Sequence, residues 1–161
     1  MADTRSIPLP IAGATLHATE APGFQYTDGT PELLFDAASD EFIYYTLRLP
    51  TAFSASPTLV LQYKMASAAS GSVVLACAVM AVTPNNEEDM DDSYDTPNTV
   101  TDAVPASAGD TAEASIALTN NDSVVAGDTI KLKVYRDANA GADNAAGDLK
   151  LLTATLTYDL A

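Results

Sequence analysis

Apolar residues recur at every second position in several stretches of this chain. Leu59, Leu61, Tyr63 and Met65 alternate with Val60, Gln62 and Lys64; Ile130, Leu132 and Val134 alternate with Lys131, Lys133 and Tyr135. Leu152, Ala154, Leu156 and Tyr158 do the same near the C-terminus. A side-chain period of two puts one set on a buried face and the other toward solvent, the signature of a strand. Strands are expected over 32–36, 41–49, 57–66, 73–82, 98–104, 111–118, 129–136 and 148–160, separated by turn clusters such as Ser67-Ala68-Ala69-Ser70-Gly71. In the 41–49 strand Ile43, Tyr45, Leu47 and Leu49 share the apolar face. No stretch holds a helical period. The fold expected is all-β, a two-sheet antiparallel jelly-roll β-sandwich.

Residues 1–31 read differently. Pro8, Pro10, Pro22 and Pro31 punctuate them and apolar residues are sparse, so they are expected to form an extended N-terminal arm with one short strand near 14–18, preceding a jelly-roll domain over 32–161. The 73–82 stretch is apolar on both phases. Val73, Leu75, Cys77, Val79 and Ala81 supply one face, and Val74, Ala76, Ala78, Met80 and Val82 the other. A sandwich core covers only one face of a strand. The second face is therefore expected to be an interface, meeting the arm or another subunit.

The 161 residues suffice for one domain with a core of its own. With 22 acidic against 7 basic residues the net charge is −15, which repels phosphate backbones and anionic membrane surfaces. Neither nucleic acid nor a membrane is expected as a partner. Cys77 lies in an apolar run and reads as a small buried hydrophobe. Residues 1–5 are followed by no apolar segment of a secretory signal, so synthesis in a cytoplasm is expected.

Candidate chemistry is thin. His17 is the single histidine, with no nucleophile motif near it, so no catalytic residue is assigned and the chain is expected not to be an enzyme. No cofactor is expected, and no metal. The acidic run Glu87, Glu88, Asp89, Asp91, Asp92, Asp95 reads as a solvated loop. Asp137, Asn139, Asp143 and Asp148 fall at positions one, three, seven and twelve of a calcium-loop spacing, but position six is Ala142 where that loop needs glycine. The absence of Trp and an aromatic share of 7% argue against a sugar-stacking site; Tyr44, Tyr45 and Tyr63 are the clustered aromatics, with Tyr45 and Tyr63 on the inward phase.

The stretch from Leu33 to Tyr158 resembles small jelly-roll virion proteins of tailed bacteriophages. The resembling elements are Leu34-Phe35-Asp36 with Glu41, Leu49-Pro50, Leu61-Gln62-Tyr63-Lys64-Met65-Ala66-Ser67, Gly71, Ala126-Gly127-Asp128, Arg136-Asp137 and Gly147-Asp148. The resemblance implies a capsid decoration (cement) protein on the capsid exterior, bound to the major capsid protein and forming a homotrimer. Related jelly rolls occur in phage fibres, so the alternative is a receptor- or carbohydrate-binding module of a tail or head fibre.

Overall fold

The computed structural model describes residues 3–161 as eleven strands and one 3-10 turn at Ile11–Gly13. The strands are β1 (Thr4–Leu9), β2 (Thr15–Leu16), β3 (Gly23–Thr27), β4 (Thr30–Phe35), β5 (Phe42–Arg48), β6 (Phe53–Met65), β7 (Ser72–Val82), β8 (Asn98–Ala103), β9 (Thr111–Ala117), β10 (Thr129–Arg136) and β11 (Leu149–Leu160). One sheet runs β3-β4-β11-β6-β9 with β1 added to β11; the other runs β2-β5-β10-β7-β8. Every pairing is antiparallel. The sequence expectation of a jelly-roll β-sandwich is thus met.

The core lies between the sheets and takes one phase of each strand. Leu59, Leu61, Tyr63 and Met65 of β6 face Ile130, Leu132 and Val134 of β10 and Val73, Leu75, Cys77 and Val79 of β7 within one buried cluster. Cys77 is fully buried, and burial pushes its thiol pKa up, so it behaves as a small hydrophobe. Tyr63 keeps its hydroxyl paired by donating to Asp102 Oδ2 at 2.7 Å.

The N-terminal segment departs from the expected arm. In its described part, β1 pairs with the Ala154–Asp159 half of β11, beyond the point where β4 leaves that edge at Leu149–Leu151. β2 pairs with β5, and β3 forms a hairpin with β4 through a two-residue turn in which Asp28 (φ 49°) and Gly29 (φ 80°) both take positive φ. Leu9 and Ile11 are buried in the core. Residues 3–27 therefore complete the chain's own sheets, and residues 1 and 2 lie outside the described part. β2 falls within the short strand expected near 14–18, whereas β1 and β3 escaped the apolar pattern because they sit at sheet edges with most of their side chains in solvent. Edge positions also tolerate prolines such as Pro8.

The expected subunit face of β7 is also covered within the chain. Val74, Ala76, Ala78, Met80 and Val82 are 4%, 0%, 2%, 1% and 9% exposed in a single copy. The acidic segment 83–97 lies against the Met80 end, where Asp95 N–H donates to Val79 O at 2.9 Å and Lys131, opposite Met80, reaches Met90 O with Nζ at 2.9 Å, while the loop after β10 meets the Val74 end, Asp137 N–H donating to Val74 O at 2.8 Å. The cover was illegible in sequence because it is made of polar backbone, Met90 and Tyr94, with the stems of β10 lysines alongside.

Candidate ligand-binding face

The outward phase of the β5 and β10 strands defines the most distinctive surface. In the antiparallel register Phe42 lies opposite Tyr135, and Tyr44 opposite Lys133. Residues directly opposite share a face. Phe42, Tyr44, Tyr135, Lys131 and Lys133 thus stand together on the outside of this sheet. Two further rings are brought over them. The His17–Glu20 segment is strapped to β5 by His17 N–H to Phe42 O (3.1 Å) and Phe42 N–H to Glu20 O (2.8 Å). Tyr94 arrives on the 83–97 cover.

The rings form a continuous ribbon. Centroid separations are 5.0 Å for Tyr135–Phe42, 5.7 Å for Phe42–His17, 6.1 Å for His17–Tyr44 and 6.3 Å for Tyr44–Tyr94. All of these side chains are half-buried. A shallow groove of about 710 Å³ adjoins the Phe42 end, lined by Glu20, Asp40, Glu41 and Lys133 among others. Another of about 420 Å³ adjoins the Tyr44–Tyr94 end, with Thr46, Asp91, Asp92 and Lys131. Volumes of ~300–1,000 Å³ are typical of small-ligand sites; here Phe42 at one end and Tyr44 and Tyr94 at the other stand among mainly polar linings.

The electrostatics keep the aromatic hydroxyls neutral. Burial, then the nearby Glu20 carboxylate, pushes the Tyr44 phenol up. Burial pushes Tyr94 up to about 12, and Tyr135 is raised by burial and then by Asp137 and Asp40. Burial raises the Glu41 carboxyl as well, with Asp36 and Asp148 adding to it against the hydrogen bond that Asp36 N–H donates. His17 Nδ1 accepts from Glu20 N–H at 3.0 Å and Thr19 N–H at 3.3 Å, which leaves Nε2 to carry the ring proton. With Nδ1 so occupied, the ring offers Nε2–H as a donor.

The calcium-spaced residues are organised by an arginine. Arg136, 0% exposed, pairs with Asp143 through Nε to Oδ2 (2.9 Å) and Nη2 to Oδ1 (2.6 Å). It also donates to Gly147 O and Ala145 O, both at 2.8 Å. Asp143 Oδ2 accepts from Val74 N–H too, at 2.9 Å. Both Asp143 oxygens are committed to donors, so the loop closes around a guanidinium where a cation would otherwise sit. Among the described residues no three His, Cys, Asp or Glu side chains are grouped to hold a metal ion, so the carboxylates of Asp137, Asp143 and Asp148 are not brought together as ligands. The acids of the 83–97 segment are partly spent on backbone: Glu88 Oε2 accepts from Thr83 N–H at 2.6 Å.

Of the aromatics singled out in sequence, Tyr44 is on the ribbon while Tyr45 and Tyr63 are in the core. Phe42 and Tyr135 were missed although their outward phase is readable from the β5 and β10 alternation. His17 and Tyr94 carried no such signal, because loops deliver them.

No family model and no curated protein matches the sequence. Solved structures do resemble the fold. A family 35 carbohydrate binding module from Clostridium thermocellum aligns over 94% of this chain and 97% of its own, with TM-score 0.50 and 11% identity. CBM28, a non-crystalline cellulose specific carbohydrate-binding module, aligns over 87% of this chain and 85% of its own, with TM-score 0.50 and 10% identity. An arabinose-bound GH51 α-L-arabinofuranosidase aligns over 94% of this chain at TM-score 0.45 and 10% identity, and the chain spans 23% of that longer protein. At such identities the likeness establishes fold alone. The protein is a jelly-roll β-sandwich of the kind found in carbohydrate-binding modules.

Proposed function

We propose that the chain is a non-catalytic glycan-binding module whose ligand lies along the ribbon Tyr135–Phe42–His17–Tyr44–Tyr94. The ribbon itself carries this reading: rings dispersed in sequence, at positions 17, 42, 44, 94 and 135, converge on one sheet face beside ligand-sized grooves. Sugar rings present apolar C–H faces and a rim of hydroxyls. Aromatic floors serve the faces, and the Nε2–H of His17, the phenols and the flanking carboxylates serve the rim. The modest aromatic content is no obstacle once the rings are concentrated in one place.

Joined to the resemblance with phage virion proteins, this reading makes the chain a receptor-binding module of a tail or head fibre. The capsid-cement reading comes from that same resemblance; the free arm and the open β7 face through which it would attach are both taken up within the chain, which favours the fibre-module alternative. The test is binding of the isolated protein to a glycan array, with hits measured by calorimetry. Tyr44→Ala should weaken a bound oligosaccharide about tenfold or more, ~1.4 kcal/mol or above, without lowering the melting temperature comparably. Hits unaffected by Tyr44→Ala and Phe42→Ala would place the ligand elsewhere.

A further inference from the structure

The ribbon is bounded at both ends by acids. We propose that it accepts neutral or amine-bearing oligosaccharides and rejects those carrying carboxylate or sulfate groups, an inference that rests on the glycan-binding reading above. Glu20, Asp40 and Glu41 line the groove at the Phe42 end. Asp91 and Asp92 line the groove at the Tyr44–Tyr94 end.

The cations in the two grooves are outnumbered, Lys133 standing among Glu20, Asp40 and Glu41 and Lys131 beside Asp91 and Asp92, and each already makes a contact within the chain. Lys131 Nζ donates to Met90 O at 2.9 Å and lies 5.9 Å from the Tyr94 ring centroid. Lys133 Nζ sits 4.0 Å over the Phe42 ring and 6.0 Å from Tyr135. An ammonium over a ring face is held by the ring quadrupole, and moving it to a ligand anion forfeits that attraction. Arg48, further along β5, donates through Nε to Gly127 O at 3.1 Å. Asp40 and Glu41 each spend one oxygen on a backbone N–H, from Ala138 at 2.9 Å and Asp36 at 2.8 Å. Their remaining oxygens have no hydrogen-bond donor among the described residues.

Free acceptors suit hydroxyl groups, and suit a protonated amine better, because the bond is then charge-assisted. A ligand carboxylate or sulfate in either groove would instead face like charge, within the field of a protein of net charge −15.

The experiment is an array holding neutral, amine-bearing, carboxylated and sulfated oligosaccharides, followed by calorimetry at low and physiological ionic strength. Hits should fall in the neutral and amine-bearing classes. Amine-bearing ligands should lose affinity as salt is raised, while neutral ones hold theirs. The exposed pair Asp91→Asn/Asp92→Asn should weaken amine-bearing ligands about tenfold and neutral ones less than about twofold. A carboxylated or sulfated hit of equal or greater affinity would overturn this inference and leave glycan binding standing. An array with no hit in any class would remove the glycan-binding reading, and this inference with it.

Discussion

Removing the Asp143 carboxylate should unseat the loop that joins β10 to β11. Arg136 and Asp143 are 0% and 1% exposed at their side chains, and their two-pronged contact is the loop's internal anchor. Asp143→Ala leaves a guanidinium in the interior with only the carbonyls of Ala145 and Gly147, and strips Val74 N–H of its acceptor. Breaking a buried pair on one side costs ~3–5 kcal/mol, mostly from the stranded charge. For a domain of this size each kcal/mol lowers the melting temperature by ~2–4 °C, so a drop of roughly 6–20 °C is expected. Urea unfolding and thermal melts should agree. Arg136→Met/Asp143→Ala should be less damaged than the two single variants summed, by at least ~2 kcal/mol, since no charge is then left alone. Calcium should not raise the melting temperature, because both Asp143 oxygens already have donors. The reasoning fails if Asp143→Ala costs less than ~1 kcal/mol. It also fails if calcium stabilises the parent in a saturable way that this variant abolishes.

Other expectations concern the remaining anchors. Glu32 is buried against Lys64 and Lys150, with Gln25 and Thr27 donating at 2.7 and 3.0 Å; burial raises its pKa, but the lysines and donors outweigh it and bring it down from 4.5 to about 2. A depressed folded-state pKa contributes stability that is present above 4.5 and lost as pH falls toward 2, so Glu32→Gln should flatten the acid limb of a melting-temperature profile in that window. Gly71 has φ +92°, and a Cβ there would stand 2.7 Å from Asn144 Oδ1, so Gly71→Ala should destabilise by ~1–3 kcal/mol in urea titrations. Met80→Lys should fail by unfolding of the single chain, by more than ~3 kcal/mol, because it puts an ammonium under the 83–97 cover; a folded variant that only loses self-association would restore the subunit-interface reading.

Period-two patterning specified most of the sandwich. β5, β6, β10 and β11 carry alternation, and β7 a continuous apolar run, strong enough that their ends agree with the structure to within a few residues. A register slip would turn a whole apolar set outward, so such strands encode their own faces. β1 and β3 were missed because an edge strand with Thr4, Arg5 and Ser6 in solvent has no apolar phase to read, and its identity comes from the neighbour it pairs with. The double-faced apolar run of β7 was legible as buried, but the cover over its outer face was not.

Composition and alternation by themselves determined an acidic all-β protein with a two-sheet core, a buried thiol at Cys77 and no recognisable catalytic motif. Those properties depend on local periodicity and on sums over the chain, both of which survive without knowledge of partners. Tertiary structure alone decided that the N-terminal residues belong to the sheets, that Asp143 serves Arg136, and that His17, Phe42, Tyr44, Tyr94 and Tyr135 form one ribbon. Each of these joins residues far apart in the chain by register or by loop crossing. A contact of that kind is set by which strands lie side by side, and no local pattern records it.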